Sequence, residues 1–199
     1  MSPDTPCELI TWEDFYRLSR KLAFLIRESG FRPDMIVAIG RGGYMPARIL
    51  SDYLGLMDLA SMRILHYRGA HKEPQAKVCF PLNADPKERR VLLVDDVSDT
   101  GDTFRVALDH ILTQGKPADI QTVALHHKTV ASFVPDFYAE KITEWRWLIY
   151  PWAITEDISA FIRELDLVPQ TIEALAQRLE QDHGIRIPQQ QLADVLAMG

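Results

Sequence analysis

The chain has 199 residues, 47% hydrophobic and 25% charged, the balance of a soluble globular protein with one main domain and room for a small appendage. Its net charge of −6 argues against a broad nucleic-acid footprint, and no apolar run approaches the ~18 residues of a membrane span. The opening "MSPDTPCELITWEDF" lacks the basic start and apolar stretch of a signal peptide, and two cysteines make neither a disulfide framework nor a zinc cluster, so a reducing cytoplasm is the expected setting.

Thr11 followed by Glu13 and Asp14 reads as a helix start; Phe15, Leu18, Leu22, Leu25 and Ile26 supply the apolar stripe, and Gly30 ends it. "DMIVAIG", 34–40, is a short apolar run closed by glycine, hence a buried strand. Residues 44–55 predict a helix with Pro46 in its first turn and Gly55 at its end. Strands are expected at 59–67 and over "KVCFPL", on either side of a polar segment, "RGAHKEPQA". A strand at 90–95, a helix at 102–115 and a strand at 120–128 follow. Beyond 128 the chain turns aromatic, proline-marked and irregular. From 155 onward it reads as helix, over 156–165, 169–183 and 188–198. Apolar runs alternating with helices indicate an α/β fold, a mostly parallel sheet with helices on both faces.

Open parallel sheets bind ligands beyond the carboxyl ends of their strands. The first such end is "GRGGY", 40–44: glycines let a backbone approach closely, exposed amides attract anions, and Arg41 adds a fixed charge beside Gly42 and Gly43. A tight strand–helix turn would use the same letters. The dinucleotide fingerprint is excluded because Met45 stands where its third glycine belongs, and no P-loop pattern occurs. The second end is "VLLVDDVSDTGDT", 91–103, where a buried strand surfaces into four carboxylates interleaved with hydroxyls and a glycine. Amides and hydroxyls of 98–103 form a nest suited to a phosphate, although Thr100 or Asp102 could be an ordinary helix cap. Capping explains Asp95 and Asp96 poorly, because adjacent carboxylates repel unless something cationic or hydroxyl-rich lies between them.

"VLLVDDVSDTGDT" resembles the phosphoribosyl-pyrophosphate (PRPP) signature of the type I phosphoribosyltransferases, and "AIGRGGYMPARIL" resembles that family's pyrophosphate loop. The flexible hood loop of the family falls between them, where "HYRGAHKEPQAK" stands. The resemblance implies the family's fold and its Mg²⁺-dependent transfer from PRPP. Asp95 and Asp96 would face the ribose diol and help hold Mg²⁺ carried in by pyrophosphate. Asp99 would be the general base. The 5′-phosphate would sit on Ser98, Asp99, Thr100, Gly101, Asp102 and Thr103, and pyrophosphate on Arg41, Gly42 and Gly43. Arg68 and Lys72 of the hood, with His71 and Lys77, would close over the same group.

Lys128, just past a strand end in "HHK", can only donate hydrogen bonds, which favours a 6-oxopurine over adenine. "WLIYPW", 147–152, resembles the purine segment of xanthine-guanine phosphoribosyltransferases, with Trp147 in the stacking position and Leu148 reading the base through its main chain. Trp147 also reads as a core tryptophan. Ala153 replaces the acid that often follows "PW" in that family, so hypoxanthine, guanine and xanthine all remain open. The implied organisation is a phosphoribosyltransferase domain at 1–155, with its base-binding segment at 129–155. The helical extension, 156–199, would pack on the core or at a subunit interface.

The resulting expectation is a cytoplasmic, homo-oligomeric purine-salvage phosphoribosyltransferase whose partners are PRPP and a purine base. Two alternatives stand beside it: a PRPP sensor of the same fold that binds RNA or DNA, and an enzyme for adenine, orotate or uracil. Asp99 and the intact "GRGG" oppose the sensor, and Lys128 with "WLIYPW" opposes the other bases. A DNA-reading tail is opposed by its few cations, Arg178 and Arg186.

Overall fold

The computed structural model describes residues 5–67 and 75–198. The chain divides into two units, one formed by Met1–Asp14 with Trp145–Gly199 and the other by Phe15–Glu144.

The larger unit is built on a six-stranded sheet. Its strands are β2 (Met35–Gly40), β3 (Leu59–Tyr67), β4 (Gln75–Phe80), β5 (Arg90–Ser98), β6 (Asp119–Lys128) and β7 (Phe137–Ile142), in the order β4-β3-β2-β5-β6-β7. All neighbours run parallel except β3 and β4. Strand β2, wholly buried, is central and pairs with β3 on one side and β5 on the other. Its unbroken apolar run is what a strand covered on both faces requires.

Period-2 alternation sorts the side chains. Met35, Val37, Ile39, Val91 and Leu93 pack with Phe104, Ala107 and Ile111 of helix α3 (Asp102–Gln114). The alternate residues Ile36, Ala38, Leu92 and Val94 are equally buried, and helix α2 (Tyr44–Leu54) packs on β2 and β5, burying Ala47 and Leu50. Helix α1 (Trp12–Glu28) buries the stripe Phe15, Leu18, Leu22 and Ile26, and its Lys21 ammonium donates to the Ala139 carbonyl of β7 at 2.5 Å. The mostly parallel α/β architecture read from the sequence is thus present, with three refinements. Strand β4 is antiparallel and spans 75–80, stopping before Pro81, which has no amide to give the ladder. Residues 137–142 and 147–149, expected to be irregular, form β7 and β8.

The smaller unit joins the two ends of the chain. Strand β1 (Cys7–Leu9) pairs in parallel with β8 (Trp147–Ile149), and the Glu8 carboxylate accepts from Arg146 at 3.3 Å. Helices α4 (Ile154–Arg163), α5 (Ile172–His183) and α6 (Gln189–Met198) complete a core of Ile149, Ile158, Phe161, Leu175, Leu179, Ile187, Leu192 and Val195. The Thr171 hydroxyl caps α5 by accepting from the Ala174 amide at 3.2 Å. The helical tail therefore shares one core with β1 and β8. No helix among the described residues is long and apolar enough to cross a membrane.

Candidate active site

The chain leaves β2 toward β3 on one side of the sheet, and continues from β5 through β6 to β7 on the other. Between β2 and β5 lies the point where strand order reverses. There the connection to α2 and the connection to α3 diverge, at the position where open α/β sheets bind ligands. "GRGG" and "DDVSDTGDT" border it.

The two loops are in contact. A Cβ at Gly42 would overlap the Asp96 carboxylate, and one at Gly43 would overlap the Val94 carbonyl. Only hydrogen at these positions allows the loop after β2 to lie against the end of β5. The Gly40–Arg41 peptide is cis, and Arg41 is exposed. Helix α2 begins at once, with the Ala47 amide donating to the Gly43 carbonyl at 3.0 Å.

Asp95 and Asp96 differ in environment. Asp95 is 7% exposed, and its carboxylate accepts from the Asp96 amide at 2.9 Å. Burial, then the charge of Asp96, hold its carboxyl well above the usual carboxylate range. Asp96 is half-buried and faces Gly42. Among the described residues no three His, Cys, Asp or Glu side chains converge into a metal cage. A pair of hard carboxylates fits Mg²⁺ nonetheless, because that ion keeps several waters and substrate oxygens and takes only one or two protein carboxylates.

The loop 98–103 turns tightly. Gly101, at φ 94°, is the residue before α3, and a Cβ there would overlap Phe133. The hydroxyls of this loop are engaged within the protein. Ser98 donates to the Phe133 carbonyl at 2.9 Å. The Thr100 hydroxyl accepts from the Asp102 amide at 3.3 Å and donates to the Asp102 carboxylate at 3.0 Å. Arg105 pairs with Asp102 at 3.3 Å. Thr103 is half-buried in the first turn of α3.

At the end of β6, Lys128 is 2% exposed, and its ammonium lies 3.1 Å from the Asp99 carboxylate. The register explains the meeting: Ser98 of β5 pairs with His127 of β6, so the next residue of each chain emerges side by side. His127 is buried 5.1 Å from the Tyr138 ring, and burial, then Lys141, push its imidazole pKa down. The larger unit thus gathers Arg41, Gly42, Gly43, Asp95, Asp96, Lys128 and the loop from Ser98 to Thr103.

Trp147 and Leu148 belong to the smaller unit. Leu148 is buried, and Trp147 is half-buried against that unit's core, its amide donating to the Pro6 carbonyl at 2.8 Å. Arg68, His71 and Lys72 lie outside the described residues; Lys77 is exposed on β4.

Sequence reading overlooked Ser132 and Phe133. Both reach the 98–101 turn from the connection between β6 and β7, and Phe133 also stacks on Phe104 at 5.3 Å. No local pattern announces them, because the contact spans more than thirty positions of chain. The one available hint was Phe133 itself, the single aromatic residue of the connection 129–136.

The phosphoribosyl transferase domain model matches residues 8–156. The xanthine-guanine phosphoribosyltransferase of Gluconobacter oxydans (strain 621H) is 29% identical over 144 residues, 72% of this chain and 82% of the relative. That of Desulfotalea psychrophila (strain LSv54 / DSM 12343) is 27% identical over 151 residues, 76% and 89% of the two chains. Among solved structures, a purine phosphoribosyltransferase from Pyrococcus horikoshii Ot3 superposes with a TM-score of 0.65 at 34% identity, covering 73% of this chain and 93% of that one. A Neisseria gonorrhoeae protein described as hypothetical, crystallised with bound ppGpp, gives 0.64 at 26% identity, over 80% and 95% of the two chains. Nearly all of α4–α6 falls outside the domain match. Over the rest, the sequence match and the strand-end loops agree: the chain belongs to the phosphoribosyltransferase family.

Proposed function

We propose that this phosphoribosyltransferase moves the phosphoribosyl group of PRPP onto a 6-oxopurine (hypoxanthine, guanine or xanthine) in purine salvage. The observation that carries the base class is the buried Lys128 ammonium 3.1 Å from the Asp99 carboxylate. A 6-oxopurine with hydrogen on N7 presents O6 as acceptor and N7–H as donor side by side. A fixed donor beside a fixed acceptor matches that edge, whereas the amino group of adenine would face an ammonium with no lone pair. The xanthine-guanine activity named for the Gluconobacter oxydans relative supports the same reading, and the name of the Pyrococcus horikoshii structure supports a purine acceptor.

In the reaction the C1′–oxygen bond to pyrophosphate breaks, and the leaving group departs with the electron pair. Purine N9 bonds to C1′, and Asp99 takes the N7 proton. Asp96, with Asp95 behind it, would accept hydrogen bonds from the ribose hydroxyls and oppose the positive charge that develops on the sugar. Amides of 98–103 would hold the 5′-phosphate. Arg41 and the Gly42–Gly43 backbone would hold pyrophosphate, with Arg68 and Lys72 as the hood residues that close over it. Asp95 and Asp96 would take Mg²⁺ bound to the substrate, and the ion supplies neutralisation of pyrophosphate charge. Stacking by Trp147 and edge reading by Leu148 are carried by the resemblance of 147–152. The reading includes a cytoplasmic homodimer or higher homo-oligomer.

A spectrophotometric screen of six bases with PRPP and Mg²⁺ tests the proposal. Hypoxanthine, guanine or xanthine should turn over, and Asp99→Ala should lower kcat by roughly 10²-fold or more. Turnover of adenine, orotate or uracil alone would refute the base assignment. An unchanged rate in Asp99→Ala would remove the general base.

The ppGpp bound to the Neisseria gonorrhoeae neighbour suggests a second ligand for the same loops. A guanosine with phosphates would bring a 6-oxopurine edge to Lys128 and anions to the amide turns. Inhibition by ppGpp should then be competitive with PRPP.

A further inference from the structure

The turn that is to hold the 5′-phosphate is itself held from outside. The connection between β6 and β7 is fixed at its start, where the Thr129 amide donates to the Ile142 carbonyl and the Ala131 amide to the Lys128 carbonyl, both at 2.9 Å. It is fixed at its end by Asp136, whose carboxylate accepts from the amide and hydroxyl of Thr122, each at 2.7 Å. Between these anchors Ser132 meets the Thr100 carbonyl twice, donating from its amide at 3.0 Å and from its hydroxyl at 2.9 Å. Arg105 donates to the Ser132 carbonyl at 3.1 Å and pairs with Asp102, bracing the same contact. Phe133 leaves no room for a side chain at Gly101.

We infer that Ser132 is a positioning residue for the phosphate turn. In a trans peptide the carbonyl and the following N–H point to opposite sides. With the Thr100 carbonyl pinned toward Ser132, the Gly101 amide is aimed away from it, to the side where a phosphate can meet it at the start of α3. Two bonds on one carbonyl fix the rotation of that peptide plane, which a turn containing glycine would otherwise be free to lose. Ser132 itself touches no substrate. It also stands four residues beyond Lys128, so one connection runs from the base-recognising residue to the phosphate turn. The inference rests on the assignment of 98–103 to the 5′-phosphate.

Ser132→Ala keeps the amide bond and deletes the hydroxyl bond, and Ser132→Thr restores the hydroxyl. Because Ser132 is exposed, the effect is that of one ordinary hydrogen bond. The KM for PRPP and the Kd for ribose 5-phosphate, measured by calorimetry, should each rise roughly 3- to 10-fold in Ser132→Ala. The kcat, the KM for guanine and the melting temperature should stay near wild type, and Ser132→Thr should recover PRPP affinity. An unchanged PRPP KM, or kcat and guanine KM moving with it, would overturn the inference. The ribose 5-phosphate arm separates the two claims. If no purine turns over, a binding loss confined to Ser132→Ala still supports the positioning role. Failure of the wild type to bind ribose 5-phosphate would sink the phosphate assignment and the inference together.

Discussion

Replacing Lys128 by Met tests the base assignment while filling nearly the same volume with an uncharged chain. The ammonium is 3% exposed and lies 3.1 Å from Asp99. At an effective dielectric of about 20 the gross attraction of two charges at that distance is about 5 kcal/mol. Burying the ammonium cancels much of it, and Asp99, 37% exposed, keeps contact with water, so the pair adds little net stability. What the substitution removes from a bound 6-oxopurine is one charge-assisted hydrogen bond to O6, about 1.5–3 kcal/mol. At 1.4 kcal/mol per tenfold, kcat/KM for guanine and hypoxanthine should fall roughly 10- to 150-fold. Adenine, measured as a competitive inhibitor against guanine, has no O6 to lose, and its Ki should stay level or fall. Steady-state rates at saturating PRPP give the first quantity, and thermal melts show whether the fold is intact. Guanine and adenine weakening by the same factor, or no loss for guanine, would refute the donor argument.

Gly42→Ala drives a methyl into the Asp96 carboxylate; displacement of that group should cut kcat roughly 10²-fold, and a normal rate would show that the contact is dispensable. Asp34, at the other end of the sheet, accepts from the Arg90 guanidinium and amide, and these bonds hold its carboxyl at about 2 against the usual 3.8. A depressed folded value stabilises the protein in full above the ordinary value and loses that contribution as pH falls toward 2. The gap in urea midpoint between wild type and Asp34→Asn should therefore shrink over that window, and a constant gap would refute the pairing. Burial, then the charge of Asp157, push the Cys7 thiol up to about 12. Iodoacetamide at pH 8 should label it roughly 10²-fold or more slowly in the native protein than in urea, as peptide mass mapping would show; equal rates would contradict its burial.

Much of the larger unit was legible because its central strands, β2 and β5, are short apolar runs closed by glycine and by acid. Both strand-end loops carry their chemistry in contiguous letters. Lys128 and Asp99 were each visible alone, but their pairing depends on β5–β6 register, which no local pattern records. Strand β1 escaped notice because "CEL" has three residues and its partner, β8, lies at the far end of the chain. "FYAEKI" has two exposed charges at its centre, the pattern of an edge strand, and therefore read as irregular. The direction of β4 was hidden for a different reason: apolar alternation is the same for parallel and antiparallel pairing.

The pairing of β1 with β8, under helices that run to Met198, also orders events during synthesis. Cys7–Leu9 is made before its partner and has no ladder to join until Trp147–Ile149 has followed. Phe15–Glu144 meets no such delay, since its sheet draws every strand from within that span. A tag at the amino end and a deletion at the carboxyl end, seemingly remote edits, would strain the same small core.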